Sequence, residues 1–354
     1  MKLFSCPHCG GRLYFENAQC LNCGSLVLYD PDAASFALLG PDKPACTNAT
    51  ECACNWVAEA EGPFCRACAL NKMIPDMSIP GNGERWIGVE AAKKRALYSL
   101  LAFGLPVGPK ASPGDEVGIA FDFLADPIIG DQPTGERVLT GHDNGLITLN
   151  VAEADSAERE KMRAQMGENY RTLLGHFRHE LGHYYWDRLI RDDPARLERF
   201  HALFGDESAD YEAALQQHYA QGAPPDWETR HISPYAASHP WEDWAETFAH
   251  YLHITDTLEM VRALKIPLAR LDTDAGEDLP AGDKGQPPVA DGAPPAEPFD
   301  RTLARWLVLS EASNSINRCM GLPDLYPFIV SPVAAEKLNF VNELLAIEKT
   351  RPTG

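Results

Sequence analysis

The spacing of the cysteines is the first constraint on how this chain can fold. The 354 residues contain ten cysteines, nine of them before residue 70, with Cys319 alone downstream. Cys6-Pro-His-Cys9-Gly10 and Cys20-Leu-Asn-Cys23-Gly24 repeat one short unit. A piece as small as residues 1–30 cannot bury a sufficient core and needs a staple. Four thiolates on tetrahedral Zn²⁺ supply it, and the glycine after each pair allows a tight turn. Apolar runs at 13–15 and 26–29 flank the pairs as short strands. Cys6, Cys9, Cys20 and Cys23 are therefore expected to form a zinc ribbon over residues 1–30.

A second group, Cys46, Cys52, Cys54, Cys65 and Cys68, occupies residues 31–80. Cys65-Arg-Ala-Cys68 is one half of a site, and two of the other three must complete it. Cys54 stands just before Asn55-Trp56, where the chain turns apolar again. Cys46 and Cys54 are favoured as partners of Cys65 and Cys68 around a second structural zinc, leaving Cys52 spare. CxxC pairs in a reducing compartment hold metal more often than they form disulfides.

Both modules could in principle read nucleic acid, but the charge argues against it. The net charge is -20, from 51 acidic against 31 basic side chains. Acidic residues also outnumber basic ones within the first 80, and each tetrathiolate zinc adds further negative charge. The basic footprint of a nucleic-acid binder is missing. Protein docking is the partner expected for the ribbon. No apolar run approaches the ~20 residues of a membrane helix, and no apolar segment follows Met1 as in a signal peptide. A cytoplasmic protein without a membrane partner is expected.

Residues 75–83 read as a Pro/Gly linker. A helical pattern spans 84–105, stopped by Gly104 and Pro106. Strands are expected at 117–124, 137–140 and 146–150, the last two flanking Asn144-Gly145, a strong hairpin signal. Helical periodicity runs over 156–190, with Tyr170, Leu173, Leu174, Phe177, Leu181 and Tyr185 at three- and four-residue steps. Further helices are expected at 194–204, 207–221, 241–253, 256–265, 300–317 and 333–349, the last capped by Ser331 with Pro332 at its first position. Residues 271–298, rich in Pro, Gly, Asp and Ala, have little to bury and read as a disordered insert. The fold class is α+β: a predominantly helical domain over 81–354 with a small antiparallel sheet, preceded by two four-cysteine modules.

The chemistry centres on His176-Phe-Arg-His179-Glu180-Leu-Gly-His183. Four residues apart on a helix, His179 and His183 project from one face and can reach one metal ion. Glu180 beside them can take a proton from an activated water. HExxH alone is only moderately specific, and a hydrogen-bonded pair of core histidines would look the same. The second string, Tyr235-Ala-Ala-Ser-His239-Pro240-Trp241-Glu242-Asp243-Trp244-Ala245-Glu246, tips the balance. Glu242 and Glu246 share one helical face among aromatic residues, where two like charges are costly without partners. One carboxylate can complete a zinc site, and the other can accept the free ring N–H of a ligand histidine. His239, Asp243 and His250 are outside candidates for that sphere, whereas His176, one turn before His179, reads as a core or supporting residue rather than a ligand.

These strings resemble the gluzincin metallopeptidases of the zincin fold, and the run Tyr-x6-Glu-x3-Glu resembles the active-site helix of anthrax lethal factor. The two cysteine modules, TGHDNG, RHELGHYYW and HPWEDWAETFAHYLH together resemble a bacterial family of zinc-binding metallopeptidases with an N-terminal zinc ribbon. The resemblance implies Glu242 as third ligand, Glu246 as the carboxylate behind His179, and Tyr235 as oxyanion donor. It further implies an edge strand over the cleft that pairs with extended substrate, a role that falls on residues 145–150, with His142 and Asp143 facing the cleft.

The expected function is hydrolysis of a peptide or protein substrate by a zinc-activated water, with one catalytic and two structural zinc ions and Glu180 as base then acid. The competing readings are a zinc-stabilised binding scaffold or regulator without catalysis, and an amide hydrolase with a non-peptide substrate.

Overall fold

The computed structural model describes residues 2–349 except 61, 113, 130–131, 134–136, 167–171 and 269–297. Tyr170 and, but for its last residue, the 271–298 stretch therefore lie outside the described residues.

The N-terminal region is built from two hairpins. β1 (Phe4–Ser5) pairs antiparallel with β2 (Arg12–Leu13), and β3 (Val27–Asp30) with β4 (Ser35–Leu38). Phe4 with Phe36, Phe15 with Tyr29 and Phe15 with Trp56 meet edge to face between them, and Tyr98 from the first long helix inserts into the same layer, 5.3 Å from Phe15. Such aromatic pairs add about 0.5–1.5 kcal/mol each beyond area burial. The cysteine-rich N-terminal region is thus seated on the helical domain by a shared core.

The chain then runs β5 (Asn71–Met73), α1 (Asn82–Ala102), β6 (Ala120–Leu124), the short pair β7 (Ile128–Ile129) and β8 (Gln132–Pro133), β9 (Gly141–Asp143) and β10 (Leu146–Asn150). After these come α2 (Ser156–Met166), α3 (Leu173–Leu189), α4 (Pro194–Phe204), α5 (Tyr211–Gln221), α6 (Pro240–Ala263), α7 (Phe299–Cys319) and α8 (Pro332–Lys349). The fold is α+β, as the sequence implied. The ends of α8 follow local chemistry: the Ser331 hydroxyl accepts from the Ala334 amide at 3.1 Å, and Pro332 occupies the first helical position.

The main sheet corrects the expectation of an antiparallel one. Its order is β5-β6-β10-β9; β5 and β10 both run parallel to β6, and only β9 is antiparallel. The cause is connection length. α1 separates β5 from β6, and a long excursion separates β6 from β10, so both links can cross over, as parallel pairing requires. The same order corrects the edge-strand assignment: residues 145–150 include β10, which is paired on both sides, and β9 stands at the edge. Residues 137–140 form no strand, because side chains satisfy that backbone instead: Asp126 accepts from the Val138 amide at 2.8 Å, and Asn150 donates to the Val138 carbonyl at 3.2 Å. The hairpin turn falls on Asn144-Gly145, both with positive φ (43° and 78°), as a two-residue turn between twisted strands needs.

α6 is one helix of 24 residues rather than two. Thr255, where a break was read, bonds back to the Tyr251 carbonyl at 2.9 Å, and Asp256 is engaged by Ser99 and Arg178 from neighbouring helices. The 156–190 region holds two helices, with Thr172 capping the second: its hydroxyl accepts from the Gly175 amide at 3.0 Å. α5 begins at Tyr211 rather than 207, because Asp206 and Ser208 form a local turn and Asp210 caps the helix.

Candidate metal centre

α3 and α6 cross at Gly182. A Cβ there would sit 3.0 Å from Ala245 Cα and 3.3 Å from Phe248 Cβ, so any larger residue would require the two helices to give by a few tenths of an ångström. Trp244 ties the crossing by donating its indole N–H to the Gly182 carbonyl at 2.8 Å. The contact brings the HExxH face of α3 against the acidic face of α6. The start of α6 is fixed by His239, whose Nδ1 accepts from the Trp241 amide at 3.1 Å, ahead of Pro240. His239 is thus a helix cap.

His179, His183 and Glu242 converge. The two Nε2 atoms lie 3.2 Å apart, and Glu242 Oε2 lies 2.9 Å from His179 Nε2 and 3.5 Å from His183 Nε2. Ligands held at ~2.0–2.1 Å in tetrahedral geometry would be about 3.3 Å apart. Glu242 Oε2 is buried and has no well-formed hydrogen bond among the described residues. Burial alone would push the His179 imidazole down, but Glu242 and Glu246 outweigh it and hold its pKa well above the ordinary value. Burial likewise opposes ionisation of Glu242, and the two histidines more than reverse it. The pocket is therefore built around a positive charge, which a proton on His179 or a shared metal ion can supply. The donor set and spacing fit Zn²⁺.

The surrounding groups orient these three. His179 Nδ1 donates to Glu246 Oε1 at 2.8 Å, and Glu246 Oε2 accepts from the Ser233 hydroxyl at 2.6 Å. Trp241 packs on the His183 ring with centroids 4.1 Å apart. The Tyr211 hydroxyl donates to Glu242 Oε1. Sequence reasoning missed Tyr211; the signal available was Asp210, the cap that starts α5 and aims its first residue at α6. Glu180 is buried on α3 and near enough to Tyr211 to raise its phenol pKa, after burial and Glu242. The Tyr235 ring centroid is 5.9 Å from that of His179, and burial with Glu242 holds the Tyr235 phenol protonated, so it can donate. His142 on β9 stacks 6.4 Å from His183, whereas Asp143 is exposed at the turn.

The other candidates lie elsewhere. His176 Nδ1 faces Glu153 at 2.5 Å. Asp243 is buried against Lys337 at 2.5 Å and His231 at 3.1 Å, pinning α8 and the preceding loop to α6. His250 Nδ1 shares a 2.7 Å hydrogen bond with the Tyr326 hydroxyl.

Two thiol clusters complete the inventory. Cys6, Cys9, Cys20 and Cys23 gather with Sγ pairs at 3.7 and 3.8 Å, and Gly10 and Gly24 take positive φ behind each pair. Cys46, Cys54, Cys65 and Cys68 gather with pairs at 3.5 and 3.7 Å. Zn–S bonds of ~2.3 Å at the tetrahedral angle give about this separation. Cys52 sits beside Cys68 and Glu90.

The sequence profile of a family described as "Putative zinc-binding metallo-peptidase" matches residues 82–344, and that of a zinc-ribbon domain matches residues 3–79. Uncharacterized proteins from Mycobacterium tuberculosis and Mycobacterium bovis are each 38% identical over 349 residues, covering 98% of this chain and 95% of their own length. No solved structure is significantly similar.

Proposed function

Because the chain belongs to this zinc-binding metallo-peptidase family, we propose that it hydrolyses peptide bonds at the centre formed by His179, His183 and Glu242. A zinc ion on two imidazoles and one carboxylate keeps a position open for water, lowers its pKa toward ~7 and polarises a carbonyl. Glu180, next to the first ligand, accepts the proton of the attacking water and delivers it to the departing amine. Tyr235, protonated and close to His179, donates to the oxygen that becomes negative in the transition state. Glu246 fixes the His179 tautomer so that Nε2 faces inward. β9, at the sheet edge beside His183, is placed to align an extended substrate by strand pairing.

The observation carrying this reading is the meeting of three ligand atoms within tetrahedral spacing of one another, with an unused carboxylate, Glu180, at the next position. A purely structural site has no need of that carboxylate. The test uses the zinc-loaded protein and a peptide library read by mass spectrometry, with Glu180→Gln as control. Cleavage by the wild type, reduced ~10²–10⁴-fold in the variant at unchanged zinc content, is expected. Equal cleavage by both proteins sinks the mechanism.

A further inference from the structure

The mechanism leaves unexplained a 390 Å³ cavity between α5 and the turn that carries Tyr235. Its walls include Ala214, Gln217, His218 and Gln221 of α5, Pro224 from the following loop, and Ala237. α5 runs from this cavity to the metal centre. Tyr211, Ala214, His218 and Gln221 recur at three- and four-residue steps, so they form one stripe of α5. That stripe begins at Tyr211, on Glu242, and at ~1.5 Å per residue reaches His218 about 10 Å along the axis. Tyr235 stands between the two sites: its ring centroid is 5.9 Å from that of His179 and 5.9 Å from that of His218. An extended peptide advances ~3.3 Å per residue, so two residues and the length of a large side chain together cover this distance.

The chemistry of the walls selects the occupant. Among the described residues lining the cavity none carries a formal charge, and burial lowers the His218 pKa, which keeps its imidazole neutral. A charged side chain would find no partner of opposite charge on these walls. Ring and methyl faces from His218, Pro224, Ala214 and Ala237 suit a flat apolar body, while the Gln217 and Gln221 carboxamides can meet a neutral polar tip. The volume lies at the low end of the ~300–1,000 Å³ typical of ligand sites.

We infer that this cavity is the specificity subsite of the peptidase and takes an aromatic side chain, tyrosine above all, within two residues of the bond cut. The inference rests on the peptidase reading for its site of action. Two series of peptides, with tyrosine or alanine at each position near the scissile bond, are compared by kcat/KM. The wild type is expected to prefer tyrosine at one position by ~10–200-fold, the range a shaped pocket supplies. Ala214→Trp, which fills the cavity, should bring that ratio to about twofold or less; Gln221→Trp at the far end of the stripe serves if the first variant misfolds. A flat wild-type profile, a preference for charged side chains, or a tyrosine preference that survives the filled cavity overturns the inference. Should the wild type cut no peptide, the peptidase reading fails, and calorimetric binding of the same peptides to the zinc-loaded protein still decides. Tyrosine peptides bound tighter than alanine peptides, with the difference lost in Ala214→Trp, support the subsite; equal binding overturns it.

Discussion

Two tyrosines flank the metal centre, and their surroundings assign them different work. Tyr211 donates to Glu242, so its hydroxyl orients a ligand. Removing such an outer partner costs ~10–100-fold in metal affinity, and Tyr211→Phe should show that loss in a competitive chelator titration. Tyr235 is near His179, and no ligand depends on it. Tyr235→Phe should therefore retain zinc and lose ~10²–10³ in kcat, the usual cost of one oxyanion donor; a variant that loses zinc instead would make Tyr235 structural. His250 gives a pH prediction. Burial lowers its pKa to about 4, despite the opposing pull of Glu246. An unfolded histidine titrates near ~6.5, so between those values the unfolded chain binds more protons and stability falls as pH falls. At pH 5 this costs about 2 kcal/mol. The loss of denaturant stability between pH 7 and pH 5 should be smaller by about that amount in His250→Gln; an equal loss in both proteins would mean His250 does not drive it.

Gly182 sets how closely α3 and α6 approach, and both carry residues of the proposed ligand triad. Gly182→Ala must push apart backbone that a Cβ would meet at 3.0 Å. Overpacking of this kind costs ~1–3 kcal/mol, and here it also spreads the ligand triad, so melting temperature and zinc affinity should fall together. Loss of stability with unchanged affinity would show that the crossing does not set the site. Much of this was legible from local patterns. HExxH and the Glu242/Glu246 pair announce their faces by four-residue spacing, and Asn144-Gly145 announces its turn. What escaped depended on partners distant in sequence. Thr255 and Asp256 look like a helix break until Ser99 and Arg178 supply company. The direction of β5 and β10 follows from the long connections between strands, information that alternation within a strand does not contain. Tyr211 has no motif, because its role comes only from where the Asp210 cap starts α5.

The cysteine modules and the helical domain share more than a linker. β5 leaves the second module and joins the sheet beneath α3, and Tyr98 of α1 enters the aromatic layer of the first. The second cluster is also joined to α1 by charge. Lys93 is fully buried, pairs with Glu90 at 2.8 Å and reaches Asn71. Burial opposes the charge on Lys94, but the nearby thiols and Glu90 outweigh it and hold that ammonium protonated. A zinc ion held by these four thiolates would carry the negative charge that these ammonium groups balance. The first cluster differs: Cys9 and Cys23 are exposed and face no buried cation among the described residues. The two clusters should therefore respond differently to loss of a ligand. Cys54→Ser removes the thiol that does most to hold Lys94 charged, and taking away one partner of a buried charge costs ~3–5 kcal/mol. For a chain of this size that is a drop of roughly 4–7 °C in melting temperature, and peptidase activity should fall with it because α1 supports the sheet under α3. Cys23→Ser should release one zinc with a clearly smaller melting shift and activity retained. Calorimetry and metal content of the two variants make the comparison, and equal melting shifts would mean that charge pairing with α1 does not distinguish the second module from the first.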